Sequence, residues 1–421
     1  MKIAMISIHS CPIGELGTRD TGGMSVYIRE LAKELGKRGH RVDIYTRYHG
    51  EGHEPVMQLT ENVRLLHIRA GGCEDMHKLA VYPYVRDFAE ELDRIRHIDN
   101  LRYDLIHNHY WLSGLVGNYL ARWWRIPQVT MFHTLGAVKN TLNIGEPEPE
   151  CRICSERALV HAGGMIIAPT AKEKHEIVRY YGADPQTVRV IPCGVNQKLF
   201  QRVKREKARN RLGIGMDEHV LLYVGRVEPL KGIDRLIRTM AWLKKRIDVK
   251  LLIVGGDDTG HPRMQQMRTL VRKLDLEKCV EFAGRADQED LPGFYSAADA
   301  LVVASLYESF GLVALEAMSC GTPVVSTAVG GMRSIVRQGV TGCLIGDDTV
   351  TGMAQSILHI LDHPELYSHR ARAIRNSILR FSWENIAASM ADAYKDLISG
   401  YSHRFYGKQR RRFCLDWASN G

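Results

Sequence analysis

Short apolar runs with β character alternate with amphipathic helical stretches in two separate blocks, and this pattern constrains the chain more than any other feature. The first block places strands at 2–8, 41–46, 104–107, 128–132, 165–168 and 188–191, with helical stretches such as 24–37 and 112–123 between them. Near-continuous apolar strands separated by helices describe a parallel sheet covered on both faces. The alternation stops over the charged segment QRVKREKARNRLGIG and resumes with strands at 219–224, 250–254, 280–282, 300–304 and 323–326. At ~150 residues per domain, 421 residues hold two or three domains. The expected fold is α/β: two Rossmann-like doubly wound domains that face each other across a cleft, with ligands at the strand ends. The limits read as 1–200 for the first domain and 201–380 for the second, followed by a helix at 381–400 and a basic tail at 401–421.

Composition removes several classes. With 45% hydrophobic and 25% charged residues the chain fills ordinary cores, so disorder is excluded. No run approaches the ~20 apolar residues of a spanning helix. The start MKIAMISIHSCPIG breaks at His9 and reads as a buried first strand, not a signal peptide, so a cytoplasmic enzyme is expected. Nine scattered cysteines fit reduced thiols. Cys151-x-x-Cys154 lacks the second pair or nearby histidines of a zinc site and is read as ordinary thiols. Of the net charge of +9, four units sit in the tail from Tyr401. The remaining excess suits an enzyme of anionic phosphates, and no nucleic-acid motif accompanies it.

Three stretches carry chemistry. In LYESFGLVALEAMSCGTPVVS (306–326), Phe310-Gly311-Leu312 open a helix whose unpaired N–H groups seat a phosphate, while Glu308 and Glu316 offer carboxylates to sugar hydroxyls. In YVGRVEPLKGIDRLI (223–237), Arg226 and Lys231 bracket a strand-to-helix turn and would converge on a diphosphate, though two solvated cations fit the spacing equally. LGTRDTGGMSVYIREL (16–31) is a glycine loop without the G-x-G-x-x-G fingerprint, suited to bringing backbone amides to a phosphate. His9, His107, His109 and His133 cluster at strand ends, with Thr134 beside His133. The pairs Asp257-Asp258 and Asp347-Asp348 read as solvated turns rather than as metal ligands.

TGGMSVY, GRVEPLKG and ESFGLVALE with GTPVV, in this order along the chain, resemble the retaining GT-B glycosyltransferases of family 4 over essentially the whole chain. SIHSCP, GTRDTGGMSVY, IHNHYWLSG and FHTLG are most similar to the inositol-phosphate N-acetylglucosaminyltransferases of mycothiol synthesis, with sucrose-phosphate synthases close behind. Ser25 stands where the former have Asn and the latter Gln, leaving the acceptor open between them.

The resemblance implies a division of labour. Glu316 would hold the ribose and Glu308 the donor sugar, with the amides of Phe310, Gly311 and Leu312. Arg226 and Lys231 would neutralise the diphosphate, helped by the Gly23 backbone, and His133 would contact the donor sugar. Arg285 would place its backbone against the base. Lys78, Tyr110, Thr134 and Arg152 would grip an acceptor phosphate, with His9 near its hydroxyls and Ser25 alongside. The last helix would cross back over the first domain. The implied reaction is retaining, metal-independent hexosyl transfer from a nucleotide sugar, UDP-linked, to a small phosphorylated polyol or sugar, with no cofactor. Inositol phosphate is the favoured acceptor. Transfer to fructose 6-phosphate and a UDP-sugar 2-epimerase are the alternatives. Neither nucleic acid nor a membrane is an expected partner, and a homodimer is left open.

Overall fold

The computed structural model of the chain describes residues 1–421 except 18–20, 51–53, 73–75, 257–261, 348, 365–366, 368–369 and 419–421, and leaves the side chains of 402–418 undescribed. Two sheets account for the two blocks of the sequence. The first is built from β1 (Lys2–Ile6), β2 (Arg41–Arg47), β3 (Val56–Thr60), β4 (Val63–Ile68), β5 (Leu105–His109), β6 (Gln128–Met131), β7 (Met165–Ala168) and β8 (Val188–Val190). Its order is β3-β4-β2-β1-β5-β6-β7-β8, and only β3 runs antiparallel to its neighbour. The second contains β9 (His219–Val224), β10 (Val249–Val254), β11 (Val280–Gly284), β12 (Ala300–Val303), β13 (Val324–Ser326) and β14 (Gly342–Leu344), all parallel, in the order β11-β10-β9-β12-β13-β14.

Helices cover both faces of the sheets, and β5 and β6 are buried at every position although they carry His107, Asn108, His109, Gln128 and Thr130. The helix Gly23–Lys37 lays Tyr27, Ile28, Leu31, Ala32 and Leu35 on the first sheet, a face spaced three and four residues apart. Local signals set the ends: Thr170 caps the helix Ala171–Tyr181 by accepting from the Glu173 amide, and Gly182 stops it in the left-handed region at φ 72°.

In each sheet the strand order grows outward from one central strand and then jumps to its other side. The jump falls between β1 and β5 in the first sheet and between β9 and β12 in the second. Adjacent loops diverge there, opening a crevice at the carboxyl ends of the strands. The two crevices meet. Leu135 in the loop after β6 donates its amide to the Tyr307 hydroxyl at 3.1 Å, and Ser309 donates to Glu173 at 2.8 Å.

The chain returns to the first domain at its end. The Val195 amide donates to the Phe381 carbonyl at 2.8 Å, and the helix Trp383–Ala418 follows. Trp383 packs edge-on against Tyr27, and the Tyr394 hydroxyl lies 2.7 Å from His107 Nδ1. The helix expected at 381–400 thus begins at Trp383 and continues through the basic tail to Ala418. The 197–215 stretch, expected only to lack strand character, contains the helix Arg205–Leu212. Among the described residues no helix is long and apolar enough to cross a membrane.

Candidate functional site

The second crevice gathers the predicted diphosphate and sugar contacts. Beyond β9, a short turn Pro229–Lys231 ends at Gly232, whose φ of 65° is left-handed; a Cβ there would lie 2.1 Å from the Ala304 carbonyl oxygen. Only glycine permits this approach, and it brings Lys231 to the end of β12. Lys231 Nζ donates to Glu308 Oε1 at 2.6 Å, and Ser305 donates to the same oxygen at 2.9 Å. Arg226 is paired with Glu228 at 2.9 Å. Both cations thus carry carboxylate partners.

Gly311 begins the helix Leu312–Ser319 at φ 105°, and a Cβ on it would meet Met332 Cε at 1.9 Å. Phe310 is buried before it. The first domain's glycine loop faces this helix start: a Cβ on Gly23 would stand 3.4 Å from Leu312 Cδ1. Glu316 lies inside the same helix, 7% exposed, and accepts from the Tyr295 hydroxyl at 2.7 Å. Burial lifts its carboxyl to about 7, against the hydrogen bonds of Tyr295 and Gln288. Gln288 also accepts from Arg29 of the first domain at 2.6 Å. Arg285 is exposed and sends its guanidinium across the cleft to Glu15 at 3.2 Å.

The first crevice holds a second cluster. His133, two residues past the end of β6, stands at φ 60°, a left-handed conformation that costs a non-glycine residue ~1–3 kcal/mol and is held by its surroundings. Its Nε2 lies 3.0 Å from His109 Nδ1. Burial pushes the His133 imidazole down to about 3, so it is neutral at working pH. His109 is likewise held far below the usual range by burial and by His107 and His133. The His9 ring packs on Tyr110 at 4.5 Å between centroids. Burial, then Lys78 and Arg152, push His9 to about 3.

Arg152 is fully buried, with its guanidinium 4.8 Å from the Tyr110 ring centre. It donates to the Thr134 carbonyl at 2.8 Å and hydroxyl at 3.0 Å, to Glu156 at 2.8 Å, and pairs with Glu148 at 2.9 Å. Burial pushes Glu148 up, but Arg152 and a short bond from Lys139 outweigh it and hold the carboxyl down at about 2. Glu156 accepts from the Gly136 amide at 3.0 Å and from the Tyr181 hydroxyl.

Of the acceptor residues expected from sequence, His9, Tyr110, Thr134 and Arg152 come together. Lys78 begins a short helix, Lys78–Val81, near enough to His9 and Glu148 to act on both electrostatically. Ser25 is fully buried and its hydroxyl meets that of Ser10, the residue after His9, at 2.7 Å. His107 serves packing against the last helix. Sequence reasoning missed Glu148, Glu156, Ser305, Tyr307 and Tyr295. The Glu148–Arg152–Glu156 spacing of four was the available signal. Cys151 and Cys154 are exposed. Asp257, Asp258, Asp348 and residues 18–20 of the glycine loop lie outside the described residues.

Two doubly wound domains facing through their switch points, with a lysine–glutamate pair and a glycine-started helix on one side, define a GT-B glycosyltransferase. Family comparison agrees for each half: residues 21–199 match Glycosyltransferase Family 4 and residues 204–379 match Glycosyl transferases group 1. The chain is 37% identical to a D-inositol 3-phosphate glycosyltransferase of Thermobispora bispora, over 94% of this chain and 95% of that one. It is 38% identical to the enzyme of the same name from Kineococcus radiotolerans, again over 94% and 95%. Among solved structures it resembles sucrose-phosphate synthase from Thermosynechococcus elongatus, with a TM-score of 0.87, 33% identity, and coverage of 95% and 99%. The fold is shared with Anabaena HepE in complex with UDP-glucose, at a TM-score of 0.73 and 22% identity over 94% and 100%. The chain belongs to these glycosyltransferases and is an enzyme of that family.

Proposed function

We propose that the protein moves a hexosyl unit from a UDP-linked sugar to a small phosphorylated acceptor, inositol phosphate foremost, with retention and without a divalent metal. The observation that carries this reading is the contact of Tyr307 with the Leu135 amide, which sets the Lys231–Glu308 side against the loop holding His133 and Thr134. Donor and acceptor groups then share one cleft.

A diphosphate leaves with negative charge, and preorganised cations stabilise that charge as it develops. Arg226 and Lys231 supply it, together with the helix start at Leu312 and the Gly23 amide. Lys231 would shift from Glu308 toward the phosphate, freeing Glu308 for sugar hydroxyls. Glu316 accepts from the ribose, Arg285 lies at the base, and neutral His133, positioned by His109, hydrogen-bonds the donor sugar. The acceptor hydroxyl attacks from the face the diphosphate leaves, and a departing phosphate oxygen takes its proton.

Lys78, Tyr110, Thr134 and Arg152 form the phosphate cradle, and His9 contacts acceptor hydroxyls with Ser25 supporting it through Ser10. The names of the relatives support an inositol phosphate; the structural likeness to sucrose-phosphate synthase supports fructose 6-phosphate as the second reading. The test is nucleoside diphosphate release across donors and acceptors, repeated after exhaustive chelation. Release only with a phosphorylated acceptor, unchanged by chelation, is expected. Release without acceptor, or activity restored only by magnesium or manganese, contradicts the reading.

A further inference from the structure

Cys151 and Cys154 have no part in the proposed transfer, yet they stand on the helix that carries Arg152. They are the only exposed thiols among the described cysteines: Cys11, Cys193, Cys320 and Cys343 are buried and Cys279 is half-buried. The helix Glu150–Val160 turns Arg152, Ile153, Ser155 and Glu156 inward and leaves 151 and 154 on its outer stripe. Residues three apart on an α-helix have Cα atoms ~5 Å apart, inside the span a disulfide bridges. Cys151 lies in the first turn of this helix. Cys154 Sγ donates to Glu150 Oε1 at 3.3 Å. That carboxylate raises the Cys154 thiol above its usual range.

We propose that Cys151 and Cys154 are a reversible redox pair that reacts with a low-molecular-weight disulfide and controls the acceptor side of the site. The Cys151 thiolate attacks one sulfur of the disulfide, forming a mixed disulfide and expelling one thiolate. Cys154 then gives its proton to Glu150 and attacks Cys151 Sγ, expelling the second thiolate, and both leaving groups pick up protons from water. The two protein thiols are oxidised to one disulfide, and the small disulfide is reduced to two thiols.

The four-residue span so closed contains Arg152. Its guanidinium is anchored at Thr134, Glu148 and Glu156, so a bridge that tightens this turn displaces the cradle while the donor crevice stays as it is. The effect on the acceptor rests on the reading of this cluster as a phosphate cradle.

The experiment treats the full-length reduced enzyme with glutathione disulfide, maps disulfides by peptide mass, and measures kinetics for donor and acceptor separately. The expected result is a bridge between 151 and 154 with loss of two hydrogens and a rise in acceptor KM of about tenfold or more. Donor KM should hold, dithiothreitol should reverse the change, and Cys151→Ser/Cys154→Ser should be insensitive. The proposal is overturned by glutathione adducts that never resolve into this bridge, by unchanged kinetics in the bridged enzyme, or by equal inhibition of the double variant. If the reduced enzyme makes no distinction between phosphorylated and unphosphorylated acceptors, the cradle reading fails. The mapped bridge and the turnover of the bridged enzyme still decide the redox proposal.

Discussion

Arg152 holds its charge in a space with no exposed surface, between Glu148 and Glu156, which changes how its role is tested. Removing one member of a buried ionic group leaves the others uncompensated and costs ~3–5 kcal/mol. Arg152→Ala should therefore lower the unfolding midpoint strongly, whatever it does to the acceptor. Lys78 is half-buried and sits at the edge of the cluster, so Lys78→Ala is the cleaner variant. It should weaken a phosphorylated acceptor by ~1.5–3 kcal/mol, the scale of a hydrogen bond to a charged group, and leave the unfolding midpoint and donor KM in place. Equal acceptor KM in variant and parent would remove Lys78 from the cradle. On the donor side, Glu316 predicts a pH effect. Its carboxyl, lifted to about 7 by burial, is ionised above that pH and then makes charge-assisted bonds to ribose hydroxyls. Donor KM should rise as pH falls from 8 to 6, and Glu316→Gln should show a high donor KM with no such slope. A slope that persists in the Gln variant would assign the titration elsewhere.

The turn Pro229–Gly232 shows what an element contributes beyond its residues. Lys231 reaches Glu308 because Gly232 is left-handed and sits against the Ala304 carbonyl. Gly232→Ala puts a Cβ where backbone stands, and should cost more than ~1 kcal/mol in stability. It should also lower kcat by ~10²-fold, as Lys231→Ala should, since the first displaces and the second removes a preorganised charge. Near-normal kcat in both variants would contradict the diphosphate role. At this scale much was legible from sequence. Strands such as Met165–Ala168 and His219–Val224 are continuous apolar runs, and the helices flanking them keep a clear buried face. The hairpin of β3 and β4 was not, because β3 is a half-exposed edge strand whose pattern resembles a loop. Gly342–Leu344 was missed because, unlike Val324–Ser326, it contains no β-branched residue. The Glu148 and Glu156 partners of Arg152 were not legible either, since burial of a charged stripe depends on what packs over it.

The whole molecule is two sheets whose switch points share one cleft, joined again by the last helix through Trp383 and Tyr394. Its two-domain pattern was readable because each sheet repeats the strand–helix alternation. The contacts between the domains, such as Ser309 with Glu173, were not, because they join residues far apart in sequence. The central claim is that this cleft seats a nucleotide sugar beside a phosphorylated acceptor. It is tested most directly by comparing kcat/KM for inositol phosphate and fructose 6-phosphate with that for inositol and fructose in the unmutated enzyme, read as nucleoside diphosphate release at saturating donor. The account predicts that at least one phosphate ester is used and that its unphosphorylated parent is poorer by roughly tenfold or more, the loss of at least one charged hydrogen bond. Equal use of ester and parent would contradict it.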